Sequence, residues 1–222
     1  MVKVNSIGKN PTQIAGGFMK SFAGWKRPEI IDKLKSETDE LHHVLQGNKI
    51  FDGLTGENPS VDKYKKLLMR FLPFYSAVEQ KLDQVCDWKS LGLNFDERKK
   101  SHLIEKDLQI LGISDKELNL IPACHESPSL STVQEALGCL YVLEGATLGA
   151  QLMAKNMNVH FGYDTDSGCA FLKCYGEGPS VGLKFKEMAE FIGKNSSTDD
   201  ENKIINSAKV TFESLDRWLS KD

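Results

Sequence analysis

Two adjacent histidines, His42 and His43, are the first residues in the chain whose type and setting permit metal chemistry. Neighbouring residues on a helix lie about 100° apart, so the two rings cannot share a face. His42 keeps step with Thr38 and Leu45 on an apolar stripe that also carries Ile31, Leu34 and Leu41, whereas His43 points away from it. A ligand to a buried metal would therefore be His42. A histidine merely packed and hydrogen-bonded in the core fits the same pattern. Gln46, four residues on, lies at helical contact distance and offers an amide oxygen to a ring N–H, the hydrogen bond that metal-bound imidazoles usually make. A neutral partner of this kind leaves the imidazole neutral and only moderately electron-donating.

The second constellation is GCLYVLEGATLGAQ, in which Gly138, Gly145 and Gly149 are spaced seven and four apart and so line one helix face. A mid-helix glycine costs roughly 1 kcal/mol relative to alanine. Three of them in three turns need a reason. Close packing of a second helix is one, and backbone approach of a flat ligand is the other; the spacing slightly favours packing. Glu144, Gln151 and the short apolar span exclude a membrane G-x-x-x-G dimer.

Other chemistries find no support. No phosphate loop, nucleophile elbow or dinucleotide fingerprint is present. No carboxylate pair stands out, since Glu135 and Glu144 lack an acidic partner at catalytic spacing. His102, His125 and His160 have no partners at metal-ligand spacing, and the five cysteines are scattered and odd in number. The cysteines point to a reducing compartment. A net charge of -3 and the absence of a basic run with aromatics argue against nucleic acid. With no signal-peptide layout and no apolar run of about 18 residues, a cytoplasmic protein without membrane insertion is expected.

The elements that must position these residues read as helices throughout. Residues 1–26 form an extension expected to pack through Phe18, Phe22 and Trp25, and residues 27–222 form one all-α domain. Pro28 opens the helix of His42. After a loop capped by Ser60, a long amphipathic helix runs from Tyr64 to Leu82, with a kink expected at Pro73. A third helix is expected from Asp96 to Leu111, stopped by Gly112, with Glu97–Lys100 (ERKK) on its solvated face. Ser114 and Glu117 form a capping box. The most hydrophobic helix spans Ser131 to Met157, glycine loops flank Cys169–Tyr175, and two helices follow over Gly182–Gly193 and Asp199–Lys221.

In this order the segments resemble the heme oxygenase family, in particular its bacterial, bacteriophytochrome-associated branch. LKSETDELHHVLQ (Leu34–Gln46) is similar to the family's proximal helix and YVLEGATLGAQ (Tyr141–Gln151) to its glycine-bearing distal helix. YKKLLMRFLPFYSAVEQKL, ERKKSHLIEKDLQILG and FLKCYGEGPSVGLKF resemble the intervening and following segments, so the likeness spans about residues 30–192.

The resemblance implies a single-domain helical bundle that opens heme, with O2, to biliverdin, carbon monoxide and ferrous iron. Electrons would come from ferredoxin, flavodoxin or a reductase, which the ERKK stretch could meet. A bacteriophytochrome could accept the biliverdin. By position, His42 becomes the iron ligand and Gln46 its hydrogen-bonding partner, where many relatives carry glutamate. Lys35 falls where a basic residue meets a propionate. The second basic position is Asp39 here, which Lys184 or Lys186 could replace. Gly145, Gly149 and Ala150 become the catalytic contacts over the ligand's distal face. Ala146 stands where animal members carry an aspartate, which leaves Gln151 or backbone carbonyls to anchor water. A heme or biliverdin carrier on the same fold is the alternative.

Overall fold

The computed structural model describes residues 24–221. Phe18 and Phe22 therefore lie outside the described residues. Eight α-helices and two short 3-10 turns account for the regular structure there, with no strand among the described residues. The helices are α1 Glu29–Gln46, α2 Val61–Val85, α3 Trp88–Leu91, α4 Ser101–Ile110, α5 Asp115–Leu118, α6 Val133–Phe161, α7 Pro179–Lys194 and α8 Glu201–Leu219.

The termini follow local chemistry. Ser60 accepts the Lys63 amide at the start of α2, and capping boxes start α5 (Ser114 with Glu117) and α6 (Thr132 with Glu135). Helix α2 runs unbroken through Val61–Val85 with Pro73 inside it. Gly162, at φ 70°, closes α6 in the left-handed conformation that glycine adopts at no steric cost.

The expected third helix is two pieces. A 3-10 turn covers Phe95–Arg98, the chain extends at Lys99, and α4 begins only at Ser101. The reason lies in Glu79 of α2. Its carboxylate accepts the Lys100 amide at 2.6 Å and takes both the amide and the hydroxyl of Ser101, capping α4 from another helix.

Helix α8 is the spine. Helix α1 runs parallel to it, tied by Lys33–Glu201 at 2.7 Å, Lys209–Glu37 at 2.6 Å and Asn48 Nδ2 donating to Asp216 at 2.8 Å. Helix α6 also runs parallel to α8, and Ser207 Oγ donates to the Glu135 carbonyl at 2.6 Å. Gly138 makes this second contact possible. A Cβ there would collide with the Ile204 carbonyl and lie 2.9 Å from the Ala208 nitrogen. Helices α1 and α6 are thus both fastened to α8 yet do not pack closely on each other.

Helix α2 crosses beneath, its Phe71 and Tyr75 meeting Phe171 edge-to-face at 5.6 and 5.3 Å. Asp107 of α4 is fully buried and accepts the amides of Ala170 and Phe171, each at 2.8 Å, pinning the turn-rich segment before α7. Trp25 of the extension is half-buried, under the Lys186 side chain. Helix α6 is long and apolar enough by composition to cross a bilayer, but most of it is buried inside the fold.

Candidate functional site

Thr38 of α1 and Tyr141 of α6 lie beside each other where the two helices face one another. Thr38 is buried and donates to the Leu34 carbonyl at 2.7 Å, and the Tyr141 hydroxyl meets the Thr38 side chain. Burial pushes the Tyr141 phenol up to about 12, so it stays protonated. One turn further along each helix stand His42 and Gly145.

His42 is half-buried and packs edge-on against Phe212 of α8, with ring centroids 6.0 Å apart. Burial lowers its pKa, reinforced by the neighbouring His43, so the imidazole is neutral at pH 7 as a metal ligand must be. Gln46 does reach His42, but from the other side of the ring than expected. Its amide nitrogen donates to Nε2 at 3.3 Å rather than its oxygen accepting from Nδ1. His43 is exposed and is spent on the Asp39 carbonyl at 2.7 Å.

The three glycines divide. Gly138 is the packing glycine against α8, whereas a Cβ on Gly145 or on Gly149 would meet nothing within 4 Å. The two later glycines thus leave a bare backbone wall facing open space, one turn beyond the Tyr141–Thr38 contact. Ala150 is buried behind them and Ala146 is exposed. A neutral imidazole on one helix and an open glycine face on the other are what a flat, iron-bearing macrocycle requires, so the residues present fit heme.

The charged positions are less concentrated. Lys35 is exposed on α1, seven residues before His42. Lys184 pairs with Glu187 at 3.0 Å and Lys186 with Glu190 at 2.8 Å, so both expected substitutes for Asp39 are engaged within α7. Gln151 donates to the Leu172 carbonyl at 3.3 Å, which occupies the side chain expected to anchor water. A surface groove lies away from His42, along a charged seam of α1 and α8 between Lys33 and Lys209.

The reading of the ERKK stretch is overturned as well. Glu97–Lys100 is not a solvated face, because Arg98 is 5% exposed and Lys100 2%, both bound to Glu144. The available signal was Glu144 itself, a lone carboxylate inside the apolar run CLYVLEG. A carboxylate buried there must find cations elsewhere in the chain.

These features define a class: an all-helical bundle with an open cleft between a histidine-bearing helix and a glycine-bearing one. The heme oxygenase family model matches residues 29–221, and the chain belongs to that family. In fold it is similar to the NO- and CO-bound heme oxygenase from Neisseria meningitidis. That likeness has a TM-score of 0.65 and 20% identity, covering 86% of this chain and 89% of that one. It is similar also to the heme oxygenase from Leptospira interrogans, with TM-score 0.65, 18% identity, and coverage of 86% of this chain and 98% of the other. No curated protein sequence matches it significantly.

Proposed function

We propose that this protein binds heme between α1 and α6 and opens it, with O2 and external electrons, to biliverdin, carbon monoxide and ferrous iron. The observation that carries this reading is the open backbone at Gly145 and Gly149 on α6, with the half-buried His42 on α1, two helices that both pack on α8. Bound heme supplies the iron that activates dioxygen against its own ring.

The chain's residues hold and shape. His42, whose burial favours the neutral imidazole, would hold the iron, and Gln46, which now donates to its Nε2, would stand beside that bond. Gly145 and Gly149 would keep side chains away from the distal face of the bound heme, with the small, buried Ala150 beside them. Ala146 offers no carboxylate, so any water on that face is held by backbone carbonyls. Lys35 is the propionate contact on α1. We place residues 27–222 in the functional domain. Ferredoxin, flavodoxin or a reductase is the electron source, and a bacteriophytochrome is a candidate acceptor of biliverdin. Five free cysteines suit a cytoplasmic setting.

An anaerobic hemin titration followed by air and a reductant tests the reading. A sharp Soret band that decays into biliverdin absorption supports it. A band that persists with several electron donors would instead identify a carrier, the outcome that the missing carboxylate at Ala146 would favour. No Soret band overturns both.

A further inference from the structure

The Glu144 carboxylate joins three chain segments: its own helix, the Arg98–Lys100 stretch and the segment of Tyr175. Arg98 Nη1 donates to one oxygen at 2.5 Å, Lys100 Nζ to the other at 2.5 Å, and the Tyr175 hydroxyl reaches both at 2.9 and 3.0 Å. Lys100 also donates from Nζ to the Arg98 carbonyl at 2.9 Å, while its own amide is held by Glu79 of α2. On the far side Arg98 reaches the Lys184 carbonyl and the Glu187 carboxylate of α7, each at 3.4 Å. Glu144 is 1% exposed. Stability alone does not call for this arrangement, because buried ion clusters are often matched or surpassed by well-packed apolar groups of the same volume.

Its place in α6 suggests what it does. The next five residues include Gly145 and Gly149, both helix-weakening, and neither has a neighbour over its open side. The Thr147 hydroxyl turns back to the Glu144 carbonyl at 2.7 Å, a contact of the kind that tends to bend helices. This stretch has little of its own to keep it straight, and the Glu144 cage grips α6 immediately before it.

We propose that Glu144, held by Arg98, Lys100 and Tyr175, is a positioning residue that fixes the Gly145–Gly149 backbone as the rigid wall of the cleft. The assignment rests on the heme reading for its purpose, and on the cluster's geometry for its action. The carboxylate does not touch the ligand. It holds the backbone at a set distance from it.

The test uses Tyr175→Phe, which removes the hydroxyl that donates to Glu144 and accepts from Lys100 at 3.3 Å, and leaves the charges balanced, alongside Glu144→Gln. Backbone amide exchange is followed in the hemin-free protein, then hemin affinity and the biliverdin isomer distribution. Tyr175→Phe should speed exchange at residues 145–150 roughly ten-fold, the size expected for one hydrogen bond to a charged group, and leave α8 amides unchanged. Hemin affinity should fall several-fold and the isomer distribution should broaden. Glu144→Gln should exceed it in each measure; should that variant not fold, Tyr175→Phe decides alone. Exchange that is unchanged at 145–150, or faster in every helix alike, overturns the positioning role. A wild-type chain that takes up no hemin overturns the heme reading and the role together. Uptake with Tyr175→Phe indistinguishable from wild type overturns only the role.

Discussion

Tyr141 of α6 lies beside Thr38 of α1, one turn before Gly145 on the one helix and one turn before His42 on the other. The two helices do not pack closely on each other, since each is fastened instead to α8. The cleft is a consequence of two helices sharing a third.

The division among the glycines gives the sharpest stability contrast. Gly138→Ala drives a methyl group into α8 backbone and should cost about 1–3 kcal/mol or more, the range for overpacking. Gly145→Ala and Gly149→Ala meet open space and should gain up to about 1 kcal/mol of helix propensity. Urea denaturation of the hemin-free proteins separates them. Equal losses at all three positions would mean that the cleft wall is not open.

His42→Ala should leave the fold within about 1 kcal/mol of wild type, because the ring is only half-buried and its hydrogen-bond partner, Gln46, is itself partly solvated. Hemin affinity should fall at least about ten-fold, or roughly 1.4 kcal/mol. Ferrous-heme spectra identical to wild type would remove His42 from the ligand role.

Asp107 makes the stability of the protein depend on pH in an unusual direction. Burial raises its pKa to about 6, above the 3.8 of an ordinary aspartate, although two backbone amides oppose the shift. The folded state therefore binds its proton more tightly than the unfolded one. The contribution is fully present below about pH 4 and is lost as pH rises through about 6, some 3 kcal/mol at most. Asp107→Asn accepts only one of the two amides and cannot titrate. Its deficit relative to wild type should be largest near pH 4 and shrink by pH 7. A deficit constant across that range would show that the carboxyl titrates normally.

Lys100→Met should destabilise by about 3–5 kcal/mol, the usual cost of removing one partner from a buried ion cluster. Added salt should hardly change that figure, because screening does not reach buried charges. The exposed Lys221–Glu126 pair should contribute under about 1 kcal/mol and weaken with salt. Melting curves of Lys100→Met and Lys221→Met in low and high salt read both.

What the sequence determined by itself was local: the helical period, the caps at Ser60 and Ser114, and which of two histidines lies on the apolar stripe. These follow from neighbours along the chain, so a stretch of residues contains the whole cause. The roles of the glycines were not legible in that way. Their spacing assigns them to one face, and only the passage of α8 over Gly138, but not over Gly145 and Gly149, separates a packing contact from an open wall. The ERKK stretch failed as a surface for the same reason. Nothing within it announces Glu144, 44 residues beyond Lys100, and only the fold brings the cations and the carboxylate together out of water. The third helix, likewise, was shortened by a cap from Glu79, 22 residues before Ser101. Local pattern dictates which helices form, whereas burial and pairing between distant segments decide which of their residues can meet a ligand.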